Sequence, residues 1–302
     1  MMQVSVPMFY RVRGLAATTN QPAGMALIPA STFTMGDTLD GLSTALPANV
    51  TLSAFYMDAN LVTLSQWQSV YNWATNHGYG FVHAGAGKAA NHPVHSVDWY
   101  DSVKWCNARA QQAGLVPVYY TDAGLTRVYT NGEPATLYPN WAAKGYRLPT
   151  EAEWEKAARG GLNKQRFPWG NLIDGGLANY YGNTGYPYDL GPNGYNVIGS
   201  IGGTSPATSP VGSFAANGYG LYDMAGNVWQ WCWDWYAGPP YPAGSPYLGG
   251  SDPHGPVGPL SNRLVRGGYW NENAHKARCA SRDYSGADYT DSSRGFRCVR
   301  GL

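Results

Sequence analysis

The chain has 302 residues, of which 13% are charged, and a formal net charge of +1. Without a basic cluster it offers no electrostatic surface for nucleic acid, and it holds no apolar run of about 18 residues to span a membrane. Its 39 Gly, 21 Pro, 23 Tyr and 12 Trp predict a globule rich in loops and packed by aromatic rings, because Gly and Pro interrupt regular elements.

The N-terminal residues 1–24 are interpreted as a linker or as the end of a preceding strand, which segment 9–13 resembles. Arg11 and Arg13 follow the apolar part of this stretch, the reverse of a secretory signal, so no signal peptide is expected in this chain. Because no break in composition divides the remainder, residues 25–302 are predicted to form one α+β domain.

Three helices and several strands are predicted along this domain. A hairpin is expected from 25–29 and 32–36, followed by a strand at 54–58. Thr63 is placed to cap a helix over 64–77. A second helix is marked by four apolar residues at helical spacing, Trp99, Val103, Cys106 and Ala110.

The third helix has the best local signal, because Thr150 and Glu153 form a capping-box pattern. This helix is expected to end by Gly160. Residues 163–217 have no periodicity and predict a long loop region whose aromatic content favours order. Late strands are expected at 227–235, 264–269, 278–281 and 296–299.

The last forty residues, 263–302, combine a regular frame with a polar filling. The frame runs through Arg266 to Trp270, Ala274, Arg278 to Arg282 and Gly295 to Cys298. The filling is suited to contacting a ligand and poor at building a core. The predicted ligand-contacting residues are Tyr269, Trp270, Asn271, Glu272, Asn273, His275, Lys276, Ser281, Asp283, Tyr284, Ser285, Asp288 and Tyr289.

Taken alone, these residues give little sign of catalysis. His92 and His95 lie in a loop that contains proline, which favours structural or surface roles over metal binding. The three carboxylates that start the third helix are interpreted as capping groups, since they favour the positive end of the helix dipole. No catalytic residue is predicted, and the pattern indicates an α+β binding domain.

Several sequence words resemble the formylglycine-generating enzyme (sulfatase-modifying factor) family over about residues 25–300. They are GYRLPTEAEWE at 145–155, FPWGN at 167–171, NGYGLYDMAGNVWQW at 217–231, RGG at 266–268 and GFR at 295–297. The resemblance implies a compact α+β domain low in regular secondary structure, a variation of the C-type lectin fold that often binds calcium.

The enzymes that the chain resembles oxidise a cysteine of a sulfatase with oxygen and a copper ion held by two cysteines after the Gly-Gly pair. Residues 269–277 contain no cysteine. The first catalytic position falls on about Glu272, and the second is lost in a shorter segment. Because a carboxylate cannot replace the soft thiolate pair that selects Cu(I), copper and the known reaction are not expected here.

The resemblance also implies cysteine pairings and metal ligands. Cys106 and Cys298 match a structural disulfide of the family, with two buried thiols as the alternative. Cys279 matches a second disulfide whose usual partner position is Ala158, so the extra Cys232 is a candidate partner. The cysteines lack a C-x-x-C pair, which argues against zinc and against a thioredoxin-like centre.

Two calcium sites follow from the same resemblance. Ligands of the first correspond to Asp223, Gly226, Val228 and Gln230, and those of the second begin at Asn179 and Tyr180. Gln230 replaces a carboxylate, which removes a ligand charge and is expected to weaken binding. The acidic partner of the second site is hard to place within 189–196. The alternative is that these residues only cap turns.

The leading hypothesis is a non-catalytic binding protein that displays a recognition surface from 263–302 to a protein or carbohydrate ligand. This segment resembles the variable region of diversity-generating retroelement proteins, although drift of a Tyr-rich surface would produce a similar pattern. The rival is a formylglycine-generating or other metal-dependent oxidase with an altered site, such as an iron enzyme, and a third reading is an accessory domain. The disulfides favour an extracytoplasmic, cell-surface or virion-associated location.

Overall fold

The computed structural model describes residues 21–200 and 205–302, so the interpretation of 9–13 and most of 1–24 lies outside the described residues. The helices are α1 Leu64–Thr75, α2 Trp99–Gln112, α3 Glu151–Arg159 and α4 Val197–Ser200, with a 3-10 turn at Pro246–Leu248. The strands are β1 Met25–Ile28, β2 Ser31–Met35, β3 Ala48–Leu52, β4 Phe55–Asp58, β5 Tyr119–Tyr120, β6 Tyr138–Pro139, β7 Tyr181–Gly182, β8 Gly194–Tyr195, β9 Trp229–Trp235, β10 Gly250–Ser251, β11 Arg263–Arg266, β12 Asp283–Ser285, β13 Arg294–Gly295 and β14 Val299–Gly301. The predicted α+β class with little regular structure is confirmed, and no helix in the described ranges is long and apolar enough to cross a membrane.

The three predicted helices are present, and two of them begin with complete capping boxes. Thr63 Oγ1 accepts from the Gln66 amide at 3.2 Å, and the Gln66 side chain accepts from the Thr63 amide at 2.9 Å. In α3, Thr150 and Glu153 make the same reciprocal pair at 3.2 and 2.8 Å. These bonds satisfy backbone donors that no helical carbonyl reaches.

The predicted N-terminal hairpin is wrong in its pairing. β1 pairs with β4, while β2 pairs with β3, a strand that the sequence pattern did not indicate. β14 joins the other edge of β4, which brings the C-terminus back beside the first strand in a three-stranded sheet. The strand expected at 278–281 is also wrong, because those residues form turns and β12 follows them.

A four-stranded sheet of order β12-β11-β9-β13 carries the C-terminal segment. β11 lies inside this sheet, antiparallel to both β9 and β12. The chain therefore leaves the sheet after Arg266, returns along β12, leaves again and re-enters as β13, parallel to β9. Both excursions, 267–282 and 286–293, start and finish on one rigid sheet.

Stacked aromatic rings fill the core beside this sheet, as the composition predicts. Trp67 of α1 and Trp105 of α2 stack with ring centroids 5.9 Å apart, and the ring of Phe296 packs edge-on against both. Trp154 of α3 belongs to a second buried cluster with Leu264 of β11. The helices and the C-terminal segment thus meet in two buried clusters.

Candidate recognition surface

Gly267 and Gly268 turn the chain out of the sheet at the end of β11. Their φ angles of +95° and +74° lie in the left-handed region, which glycine adopts without steric cost. A Cβ on Gly268 would lie 3.1 Å from the Lys276 carbonyl carbon. The pair is therefore required both for the turn and for close packing of the returning chain.

Two buried arginines attach the first excursion to α3. Arg266 donates to the carbonyls of Cys279 and Ser281 at 2.8 and 2.6 Å and to Glu155 at 2.5 Å. Arg282 binds Glu151 in a bidentate pair at 2.6 and 2.9 Å. Because all four charged side chains are buried, these pairs hold the segment in one position and occupy two carboxylates that begin the helix.

Further arginines fix the segment at its ends. Arg278 donates to Asp40 at 2.6 Å, across 238 residues of sequence. The Arg263 guanidinium lies between the rings of Trp99 and Trp235, 3.6 and 3.4 Å from their centroids. Burial without a carboxylate partner lowers the pKa of Arg263 to about 9.

Apart from the half-buried Tyr269, the frame is buried, and most of the predicted filling reaches solvent. The ten predicted contact residues that are exposed or half-buried are Tyr269, Asn271, Glu272, Asn273, His275, Lys276, Asp283, Tyr284, Asp288 and Tyr289. Tyr284 and Tyr289 are exposed aromatic residues, at 48% and 49% exposure. We call these ten residues the recognition surface.

Three predicted contact residues are wrong as surface groups, because the structure buries them. Trp270 packs against Tyr195, with centroids 5.9 Å apart, and its indole points at the Ser292 carbonyl. Ser281 follows the buried turn that Arg266 holds, and Ser285 pairs with Arg263 between β12 and β11. These residues belong to the frame.

A tyrosine-rich loop extends the recognition surface beyond the C-terminal segment. The Tyr181 amide donates to the Glu272 carbonyl at 2.9 Å, and Asn273 Nδ2 donates to the Tyr181 carbonyl at 3.1 Å. The Tyr186 ring stacks on His275 with centroids 5.2 Å apart. These partners lie outside the predicted segment 263–302, although the density of tyrosine in 180–195 is a signal for them.

An open cavity of about 480 Å³ adjoins this loop. Tyr180, Leu190, Pro192, Tyr195 and Val197 line it, together with several glycines. Tyr195 also contacts Trp270, so one ring of the cavity lining connects the cavity with the buried tryptophan of the frame. The recognition surface thus combines polar side chains with a neighbouring apolar hollow.

The charges of the recognition surface are mixed and partly neutralised. Lys276 and Asp283 form an ion pair at 2.7 Å that joins the first excursion to β12. Burial raises the pKa of Glu272 and lowers the pKa of His275, so each charged form is disfavoured. The surface suits hydrogen bonding to a neutral polar ligand.

No thiol lies in segment 269–277, and the nearest cysteine in sequence is chemically quiet. Cys279 is buried, and burial raises the pKa of its thiol to about 12. The reactive form of cysteine is the thiolate, which this environment suppresses. Glu272 therefore has no soft partner there, and this segment does not fit a Cu(I) ion held by thiolates.

All four cysteines carry free thiols in the structure. The Sγ atoms of Cys106 and Cys298 lie 3.5 Å apart, so these two residues are neighbours, as the implied disulfide requires. Cys232 and Cys279, the second candidate pair, are likewise free thiols, and this pairing stays a prediction.

Hydrogen bonds already engage two of the oxygens implied for the first calcium site, so calcium there stays a prediction. The Gln230 oxygen already accepts from Trp154 and Arg297, both at 2.8 Å, and its amide donates to the Asp223 carbonyl at 2.9 Å. Arg297 also donates to that carbonyl at 3.2 Å. The Gln230 side-chain oxygen and the Asp223 carbonyl are therefore already hydrogen-bonded, and a cation would have to compete with a buried guanidinium for them.

Asp189 is the acidic neighbour of the second implied site. It accepts from the Tyr180 hydroxyl at 2.5 Å and from the Asn183 amide at 2.7 Å. The Asn179 side-chain oxygen is buried and has no hydrogen-bond partner. Calcium at this second site stays a prediction.

The fold and the surface together define a class: an α+β domain whose buried arginine frame presents a polar C-terminal segment. Residues 13–302 match the Sulfatase-modifying factor enzyme 1-like domain, and the chain belongs to this family. It is 34% identical to the chaperone protein LppX of Paenibacillus barcinonensis, over 83% of this chain and 82% of that protein. It is 33% identical to the formylglycine-generating enzyme of Thermomonospora curvata, over 91% and 93%.

A solved structure is also similar to this chain. Treponema denticola variable protein 1 superposes with a TM-score of 0.69 at 28% identity, covering 92% of this chain and 95% of that chain. The resemblance inferred from the sequence, a formylglycine-generating-enzyme-like domain akin to variable proteins, is confirmed.

Proposed function

We propose that this chain is a non-catalytic recognition protein that binds a protein or carbohydrate ligand through its recognition surface. The observation that carries the proposal is the division within the last forty residues: the arginines and glycines of the frame are buried, whereas the ten residues of the recognition surface are exposed or half-buried. A scaffold of this kind tolerates exchange of the displayed side chains without loss of its core.

The finer proposal is that the chain acts as a variable protein of a diversity-generating retroelement. The similarity to Treponema denticola variable protein 1 supports it, as does the placement of the recognition surface on two excursions from a rigid sheet. A reverse transcriptase gene beside a near-copy of the 263–300 coding segment, differing mainly at adenines, is the expected gene neighbourhood. A locus without such a copy contradicts this part.

Binding is tested with the double variant Tyr284→Ala/Tyr289→Ala on a glycan microarray and on a panel of purified bacterial surface proteins. Removing two exposed tyrosines is expected to weaken a detected interaction by at least about tenfold, since exposed aromatic anchors dominate such contacts. Tyr138→Ala is the matched control, because Tyr138 is 37% exposed on β6. Equal binding by both variants contradicts the proposed surface.

The second candidate function is oxidation of a cysteine-containing sulfatase peptide, which the identity to formylglycine-generating enzymes favours. Purified protein is expected to contain no stoichiometric copper or iron and to leave such a peptide unchanged. Stoichiometric copper together with turnover refutes the non-catalytic proposal in favour of this one.

An extracytoplasmic, cell-surface or virion-associated location suits a recognition protein and is part of the proposal. Fractionation of the native host with an antibody against the chain tests it directly. Recovery in the cytosolic fraction alone contradicts it.

A further inference from the structure

A cluster of three metal-binding side chains lies where the loop after α1 meets the first turn of α2. His83 Nδ1 is 3.0 Å from Asp101 Oδ2 and 3.4 Å from Asp98 Oδ2. Both carboxylates are fully buried, whereas the His83 side chain keeps 27% exposure. Among the described residues this is the group of His, Cys, Asp and Glu whose ligand atoms converge within 4.8 Å.

One oxygen of the cluster lacks a partner. Asp98 caps α2 with Oδ1, which accepts from the Asp101 amide at 2.6 Å. Its Oδ2 is buried and accepts no hydrogen bond, although it faces the His83 ring. A buried carboxylate oxygen without a donor is costly, so its position is explained when a cation binds there.

Asp101 is held ready by the surrounding chain. Its Oδ1 accepts from the Val82 amide at 3.0 Å and pairs with Lys104 at 2.8 Å. Its Oδ2 accepts from the His83 amide at 2.8 Å. Such contacts around a ligand orient it toward a metal. Lys104 supplies one positive charge beside the two carboxylates of Asp98 and Asp101, so a bound cation would balance the remaining negative charge.

We propose that His83, Asp98 and Asp101 form a zinc site. Zinc bonds of about 2.0–2.1 Å in tetrahedral geometry place neighbouring ligand atoms about 3.3 Å apart, and the two separations from His83 match this value. One imidazole with two carboxylates suits zinc among biological cations. The absence of a C-x-x-C pair argues only against a zinc site built from cysteines. The proposed site contains no cysteine ligand.

The site lies beneath the second excursion of the recognition surface. The Trp99 amide, in the first turn of α2, donates to the Ala287 carbonyl at 3.0 Å, and the Ser96 amide donates to the Asp291 carbonyl at 2.9 Å. Zinc there joins the loop after α1 to the α2 residues on which 286–293 rests. This link between the two elements is independent of which ligand the surface binds.

Titration calorimetry with zinc chloride on the chelator-stripped full chain tests the proposal. One equivalent of zinc is expected to bind, and cobalt is expected to give a visible ligand-field spectrum. Asp98→Asn removes the charged ligand but keeps a capping oxygen, and His83→Ala removes the imidazole. Both are expected to weaken zinc binding by at least about tenfold.

His77→Ala is the matched control, because this histidine is exposed and stacks on Trp73 instead. It is expected to bind zinc as the unaltered chain does. Circular dichroism checks that each variant is folded. The proposal is overturned when the stripped chain binds no zinc, or when His83→Ala and Asp98→Asn both retain unchanged affinity.

Discussion

Replacing Arg266 by Met should reveal how strongly the frame depends on its buried ion pairs. Arg266 has no exposed surface and makes hydrogen bonds to two carbonyls and to Glu155. Met fills a similar volume but leaves Glu155 with Arg159 as its remaining charged partner. Removing one member of a buried pair costs about 3–5 kcal/mol, and the two carbonyls lose their donor as well.

A loss of that size consumes a large share of the about 5–15 kcal/mol that stabilises a typical domain. For a domain of this length it lowers the melting temperature by about 6–10 °C. Guanidinium denaturation followed by tryptophan fluorescence measures the free energy of unfolding. Hydrogen exchange is expected to show faster opening of 267–282 than of α1.

Arg294→Met is the matched control. Its ion pair with Asp291 is partly exposed, at 15% and 35% for the two side chains, so its loss is expected to cost under about 1 kcal/mol. The reasoning fails if the Arg266 and Arg294 variants unfold at the same denaturant concentration, or if exchange in 267–282 does not change.

Three further outcomes are expected. Gly268→Ala should destabilise the chain by about 1–3 kcal/mol in thermal melts, more than the control Gly132→Ala does. Both glycines have a positive φ, but of the two only Gly268 has neighbouring atoms close to the position of an added Cβ. Equal losses in the two variants would contradict the role of close packing. Burial, reinforced by Glu151, raises the pKa of Asp234 to about 8. Because the folded state then holds a proton that the unfolded state loses above about pH 4, the free energy of unfolding should fall as the pH rises from about 4 toward 8. Asp234→Asn should flatten this pH profile, and an unchanged slope in the variant would refute the assignment to Asp234. Peptide mapping after oxidation should recover a Cys106–Cys298 cross-link, because the two sulfurs are neighbours. Recovery of these cysteines only in other links would contradict this expectation.

Helix starts were predictable because their signals are local. Thr63 and Thr150 each form a capping box with the residue three positions later, in the first turn of the helix. Gly160 ends α3 with a φ of +56°, as its lack of a side chain allows. The conformations of these residues depend on neighbours in sequence, so the sequence pattern is sufficient for them.

Strand pairing was not predictable in the same way. β1 and β2 are separated by two residues, yet each pairs with a different strand. β14 reaches β4 across more than half the chain. The free energy of these pairings comes from burial on the completed sheets, which a short window of sequence does not contain.

In segment 263–302, too, some features follow from local sequence and others only from tertiary contacts. The sequence by itself determined that 263–302 holds a regular frame with polar residues between its fixed points, because residue type and spacing carry that information. Only the tertiary structure decided that Trp270, Ser281 and Ser285 belong inside, and that Tyr181 and Tyr186 join the surface from a distant loop. Burial depends on which side chains meet in space, and those contacts form only when the buried arginines fold the segment against α3.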